Sequence, residues 1–143
     1  MSSTELIAAL DTVRQALKEA EDSLEAQFQA LRTPRAEPLM ELTARCAEKI
    51  DAVSLAERVA LETLLQVTGS TARLDDLPSD IRSKVVAVLS DLRARAAIIA
   101  RKQKRNVRAA DLLAQTVKGM SRSLGAEPER RGFGVAARYG SAR

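Results

Sequence analysis

Few residues of this chain have the types and spacing that catalysis requires. The acidic pairs Glu21–Asp22 and Asp75–Asp76 are the candidates for general acid–base chemistry, but adjacent carboxylates on a helical surface are usually solvated. The chain has no histidine, which removes the most common general base and metal ligand. Its glycines lack the Lys-Ser/Thr of a phosphate-binding loop. The sequence predicts a protein that is not an enzyme, with no catalytic or metal site, no cofactor and no small-molecule substrate.

Cys46 is the single cysteine of the chain, so an intramolecular disulfide cannot form. It falls on the apolar face of a predicted helix. We therefore expect it to be a small buried side chain, with a reactive thiol as the less favoured alternative.

The basic segment Arg101–Arg105, followed by Arg108, could neutralise several nucleic-acid phosphates. It lies in a strongly basic region, because residues 99–143 carry 11 basic and 3 acidic side chains while residues 1–68 carry 7 and 12. However, these cations go round a helix, and no aromatic residue is interleaved to stack on bases. A solvated surface, or one that meets an acidic protein, is the favoured interpretation, and nucleic-acid binding stays an alternative.

The elements that carry these residues are predicted to be three helices. A chain of 143 residues suits one domain, and strong helix formers dominate it while aromatic residues make up 2%. The first helix is predicted over residues 3–31, and prolines interrupt the chain after it. Its apolar residues recur every three or four positions, which is an a/d seam that needs a partner helix. That seam consists of Leu6, Leu10, Val13, Leu17, Ala20, Leu24 and Leu31.

The second helix is predicted over residues 38–67, and the capping-box spacing of Ser54 and Glu57 leaves a break near Val53 open. Its seam consists of Leu39, Leu42, Cys46, Ile50, Val53, Ala56, Ala60, Leu64 and Val67. The third helix is predicted over residues 79–124, with a seam that shifts at Ala96 in a stutter. That seam consists of Ile81, Val85, Val88, Leu92, Ala96, Ile99, Gln103, Asn106, Ala110, Leu113, Val117, Met120 and Leu124.

The third helix is predicted to outreach the other two. At 1.5 Å per residue it would be about 70 Å long, against about 45 Å for the others. Its distal part should therefore lack a full-length neighbour and be free to bind another protein, although an ordinary core role for these residues is the alternative. The residues assigned to partner binding on this helix are Val107, Leu113, Val117, Met120 and Leu124.

Residues 125–143 form a basic, glycine-containing segment that cannot bury enough surface to fold alone, so a flexible tail is predicted after a helical domain at residues 1–124. Two of the three aromatic residues, Phe133 and Tyr139, lie in this tail. Both are assigned to partner binding, since aromatic side chains anchor interfaces well. A chance placement is the alternative. The predicted fold is thus all-α: an antiparallel three-helix bundle or coiled coil with an extended third helix and a flexible C-terminal tail.

Three segments resemble the FlgN-type flagellar export chaperones. The heptad leucines from Leu6 to Leu31 resemble the first helix of that family, and Glu48-Lys49-Ile50 with Leu55-Ala56-Glu57-Arg58 resembles its second. Asn106 with Leu112-Leu113, followed by the ending Tyr139-Gly140-Ser141-Ala142-Arg143, resembles its carboxy-terminal region. The resemblance implies a type III secretion chaperone that binds hook-associated flagellar subunits and delivers them to an export gate protein.

The expected location is the cytoplasm. The first residues show neither a basic start nor an apolar stretch typical of a signal peptide, and no run reaches the roughly 18–20 apolar residues that span a bilayer, so no membrane insertion is expected. Two other functions stay open: a basic helical nucleic-acid-binding protein, and a coiled-coil structural protein such as a granule-coating phasin.

Overall fold

The computed structural model describes residues 3–33 and 36–124. It contains three long helices, which we label α1 (Ser3–Arg32), α2 (Ala36–Val67) and α3 (Ser79–Ser123), and a short 3-10 turn at Leu74–Asp76 between α2 and α3. The predicted all-helical fold is confirmed, and these residues contain no strand. The predicted helix bounds lie within two residues of the observed ones. Residues 125–143, which the sequence assigns to a flexible tail, lie outside the described part.

α1 and α2 form an antiparallel pair. The Gln27 side-chain amide donates a hydrogen bond to the Thr43 hydroxyl at 3.1 Å, and Lys49 donates to Glu19 at 3.1 Å, so positions that rise along α2 fall along α1. α2 runs without interruption through Val53, so the helix has no break at this position.

α3 runs parallel to α1. Arg14 lies 3.5 Å from the Asp91 carboxylate, and Lys102 lies 2.7 Å from that of Glu21. α1 is therefore the shared helix of the bundle, because α2 packs antiparallel to it and α3 packs parallel to it. In the described residues, no Cα atom of α2 lies within 8 Å of one in α3.

The core follows the predicted seam of α1. All seven of its predicted seam residues are buried. Ser23 is buried with them, and its hydroxyl donates a hydrogen bond to the Ala20 carbonyl at 2.8 Å, which satisfies this polar group inside the core. Cys46 is also buried, and its Sγ donates to the Ser23 carbonyl at 3.2 Å, as expected for a structural cysteine. The remaining buried apolar residues of α2 and α3 are Val53, Ala56, Ala60, Val85, Leu92 and Ile99.

The predicted stutter in α3 is wrong. Val85, Leu92, Ile99 and Asn106 are buried at regular seven-residue intervals, whereas Ala96 is exposed. Gln103, also assigned to the seam, is exposed as well. Between Leu92 and Asn106 the intervening seam positions are occupied by two partly buried cations, Arg95 and Lys102, whose charged ends pair with carboxylates. Between Val85 and Leu92 that position is occupied by Val88, which packs against the core.

The α2–α3 connection is anchored at its end. Leu77 is among the most completely buried side chains, and one guanidinium nitrogen of Arg82 donates to the carbonyls of Asp75 and Leu77, at 2.9 Å each. These contacts fix the position at which α3 begins to run parallel to α1.

None of the described helices combines the length and apolar character that crossing a membrane requires.

Candidate partner-binding surface

Asn106 sets the register of α3 on α1. It is 4% exposed, and its amide nitrogen donates to the Leu24 carbonyl at 2.8 Å and to the Gln27 side-chain oxygen at 2.9 Å. A buried amide with satisfied partners fixes which positions of two helices stand side by side. Because α1 ends at Arg32, eight residues after Leu24, it reaches α3 only to about Ala114. The rest of α3 extends beyond the end of α1 by about 15 Å.

The projecting end of α3 carries an apolar stripe, which we call the distal stripe and which consists of Leu113, Val117, Met120 and Leu124. Its spacing of four, three and four residues continues the α3 seam. Leu113 is half-buried, whereas Val117 is 45%, Met120 59% and Leu124 80% exposed. Apolar side chains that repeat on one helical face are normally buried against a neighbour. In the described residues this face has no covering helix.

A groove lies between α2 and α3, with α1 as its floor. It holds two cavities, one of about 280 Å³ near the start of α3 and one of about 430 Å³ near residues 103–111. The walls of the first are almost entirely apolar and include Leu61 of α2 and Leu89 of α3. Val107, which the sequence assigns to partner binding, borders the second and is 54% exposed. The structure therefore separates Val107 from the distal stripe, although both lie on α3.

The basic segment is divided between the fold and the surface. Lys102 lies 2.7 Å from Glu21 and 3.0 Å from Glu25, and Arg105 lies 2.9 Å from Glu25. Hydrogen bonds from Lys102 and Arg105 hold the pKa of Glu25 below its ordinary value, and the hydrogen bond to Glu21 raises the pKa of Lys102. Two of the cations proposed to meet phosphates thus face carboxylates of α1.

The other cations of that segment are exposed, namely Arg101, Lys104 and Arg108. They lie on the side of α3 that faces away from α1. A phosphate backbone would therefore meet three exposed cations where the sequence suggested five, which weakens the nucleic-acid alternative.

The chemistry available on this surface is apolar contact. Within residues 3–33 and 36–124, no group of three or more His, Cys, Asp or Glu side chains could hold a metal ion. The predicted contact residues Phe133 and Tyr139 lie outside the described residues, so their assignment stays a prediction.

The groove itself was not predicted from the sequence. Its signal is present in the apolar residues that directly follow seam positions, because Leu61 follows Ala60 and Val107 follows Asn106. Such pairs widen the apolar face of a helix beyond the stripe that one neighbour can cover.

Comparison with known proteins finds no family model, curated protein or solved structure that matches this chain.

Proposed function

We propose that the protein is a cytoplasmic binding protein that covers an amphipathic helix of a client through the distal stripe of α3. The observation that supports this proposal is the exposure of Val117, Met120 and Leu124 on a helix that continues past its neighbour. A monomeric protein seldom exposes a contiguous apolar stripe unless it serves an interaction.

The distal stripe has the spacing that helix recognition uses. Anchors at positions i, i+4, i+7 and i+11 lie on one face and can interdigitate with the apolar face of a second helix. Burying a valine, a methionine and a leucine contributes about 1.5–3 kcal/mol each before the cost of association. Val117 and Met120 are already partly buried and association itself costs about 4–15 kcal/mol, so the distal stripe supplies only part of the binding free energy. The complex should therefore be reversible, as a carrier that must release its client needs.

The class of client follows from the resemblance to FlgN-type chaperones. We propose that the client is a hook-associated flagellar subunit, whose apolar terminal helix would otherwise be exposed before type III secretion. In this hypothesis the tail, with Phe133 and Tyr139, contacts either the client or an export gate protein. The tail would pay about 1–2 kcal/mol of backbone entropy per ordered residue, so the contact should be short.

The experiment that separates the candidate functions is affinity capture from a native lysate, followed by mass spectrometry and nucleic-acid detection. The proposal predicts a one-to-one complex with a secreted filament subunit that survives moderate salt. Recovery of nucleic acid alone, with binding that falls steeply as salt rises, would instead support the basic-helix alternative. Recovery of granule proteins, or assemblies of this chain that grow without limit, would support the phasin-like scaffold.

A further inference from the structure

The two cavities of the groove between α2 and α3 repeat one arrangement, displaced along the bundle by two heptads. Three α3 residues that line the smaller cavity have counterparts fourteen residues later in the larger one. The pairs are Leu89 and Gln103, Arg93 and Val107, and Ala96 and Ala110. The lining residues of α2 show the same shift toward lower numbers, as expected for an antiparallel helix. Fourteen residues of helix rise about 21 Å, which is therefore the distance between the cavities.

The tail of the same chain carries two aromatic side chains with a matching separation. In residues 133–139 the apolar side chains with a Cβ branch or a ring, Phe133, Val135 and Tyr139, occupy alternate positions together with Ala137. Successive side chains of an extended segment point to opposite faces, so these four would share one face. Six extended residues separate the two rings by about 20 Å. An extended segment could thus place one ring in each cavity.

The tail also has the length to bring the first ring to the larger cavity. Val107, in the middle of the α3 wall of that cavity, precedes Leu124 by seventeen residues, or about 25 Å of helix. Nine residues separate Leu124 from Phe133, and an extended chain of that length spans up to roughly 30 Å. Phe133 can therefore reach the larger cavity with little slack, and Tyr139 then falls at the smaller one.

The charges of the tail and of the groove are complementary. Residues 130–139 carry three arginines and no acidic side chain, a net charge of +3. The charged residues that line the two cavities are Asp51, Glu57, Asp111 and Arg93, a net charge of −2. With Phe133 beside Val107, Arg131 would lie about four helical residues further along α3, next to Asp111.

We propose that residues 133–139 bind in an extended conformation in the groove of their own chain, with Phe133 in the larger cavity and Tyr139 in the smaller one. The cavity volumes, about 430 Å³ and 280 Å³, exceed the roughly 150 Å³ in which an apolar cavity holds benzene. In the smaller cavity Arg93 can stack on the tyrosine ring. The tether keeps the segment at a high effective concentration near the groove, and only seven residues need to become ordered.

This binding goes beyond the proposed function, since it needs no client. One consequence does rest on that function. To reach the groove, residues 125–132 must run back along the distal part of α3, beside the distal stripe. A client helix would have to displace them, and Phe133 and Tyr139 would become available to a client or an export gate protein only after they leave the groove.

Fluorescence of Tyr139 provides the first test, because the chain has no other tyrosine and no tryptophan. Acrylamide quenching is measured for wild type, for Leu61→Lys, which puts a cation into the smaller cavity, and for Leu55→Lys. Leu55 is the matched control, because it is similarly exposed on α2 but does not line either cavity. We expect Leu61→Lys to be quenched at least about twofold more efficiently than wild type, and Leu55→Lys to match wild type. Equal quenching in all three proteins, at unchanged helical circular dichroism, would refute the proposal.

Cysteine cross-linking tests the position of the segment along the groove. In a Cys46→Ala background, Val135→Cys is combined with Gln103→Cys, which lines the larger cavity. The control combines it with Arg101→Cys, two residues away on the exposed side of α3 that faces away from α1. We expect the intrachain disulfide with position 103 to form at least about tenfold faster than the one with position 101.

Equal rates in the two cysteine pairs would show that the tail does not select the groove, and a disulfide that joins two chains would place it in the groove of a neighbour. Either result would overturn the proposal. Neither measurement involves a client, so its failure leaves the proposed function untouched.

Discussion

Arg105 of α3 stacks on Phe28 of α1, with its guanidinium carbon 3.8 Å from the centre of the ring. The same guanidinium donates a hydrogen bond to Glu25 at 2.9 Å. One cation thus combines a cation–π contact with an ion pair, which ties the middle of α3 to α1. Part of the basic segment therefore belongs to the helix–helix interface.

The ion pairs of Glu25 predict a stability that depends on pH. Because the pKa of Glu25 is lowered in the folded protein, its pairing stabilises the fold above the ordinary glutamate value of 4.5 and is lost as pH falls through the folded pKa. Its side chain is 39% exposed, so solvent screening limits the gain to about 0.5 kcal/mol. Urea unfolding should show Glu25→Gln to be less stable than the wild type at neutral pH and equally stable in strong acid.

Glu48→Gln, at an exposed position of α2, is the control for that measurement and should match the wild type at both pH values. A difference between Glu25→Gln and wild type that persists unchanged in acid would show that the stabilisation does not come from the charge.

Substitution of Asn106 is expected to lower the stability of the fold more than Glu25→Gln does. Asn106→Ala leaves the Leu24 carbonyl and the Gln27 side chain without their buried donor, which should lower the free energy of unfolding by about 1–3 kcal/mol. Gln115→Ala removes a similar amide from an exposed position on the same helix and should change stability by less than about 0.5 kcal/mol. Chemical denaturation of both variants gives the comparison, and equal small losses would mean that the register of α3 is set elsewhere.

The sequence was sufficient to predict where the helices lie and which face of α1 is buried. Leu10, Leu17 and Leu24 recur every seven residues with no competing pattern, and all three are buried. Proline and glycine mark the ends of the helices clearly enough to place their bounds within two residues. The excess length of α3 could be predicted for the same reason, since helix length follows directly from residue number.

The α3 seam was harder to predict because cations occupy part of it. Arg95 and Lys102 lie at seam spacing from Leu92 and Ile99, and both are only partly exposed. Arg95 pairs with Asp91 at 3.1 Å, while Lys102 pairs with carboxylates of α1. A seam assigned from apolar residues alone leaves out Arg95 and takes the neighbouring Ala96 in its place. This choice produces the predicted shift, although Ala96 is exposed.

The width of the groove could not be predicted, since periodicity defines the apolar faces of helices but not the distance between helices. Ile50 of α2 and Val88 of α3 both pack against the core. Nothing in their spacing indicates that α2 and α3 would leave a gap between them. That distance depends on how side chains of different size interdigitate on α1, which is a property of all three helices together.

A substitution at Gly119 tests whether the helical stability of the distal end of α3 influences client binding. A Cβ added there would meet nothing within 4 Å, so Gly119→Ala should stabilise this end of α3 by about 0.5–1 kcal/mol through the loss of unfolded-state freedom. Hydrogen exchange over residues 114–123 should slow, and client affinity should rise by at most about fivefold. Ala87→Gly, at an exposed position earlier in α3, should leave the exchange of that end unchanged. Faster exchange in Gly119→Ala would contradict this account.

The distal stripe is the central claim, and one variant tests it directly. Replacing both Val117 and Met120 with Asp puts charge in the middle of the stripe, where contact with an apolar helix would leave the carboxylates unpaired. The hook-associated subunit recovered by affinity capture is titrated calorimetrically against this variant, against wild type and against Val86→Asp, which alters an equally exposed α3 valine. Circular dichroism of each variant is recorded in parallel.

We expect the double variant to keep its helical spectrum and to lose client affinity by at least about 100-fold, while Val86→Asp binds as the wild type does. Undiminished binding by the double variant would contradict the proposed site, and so would collapse of the whole fold, because the stripe would then be part of the core.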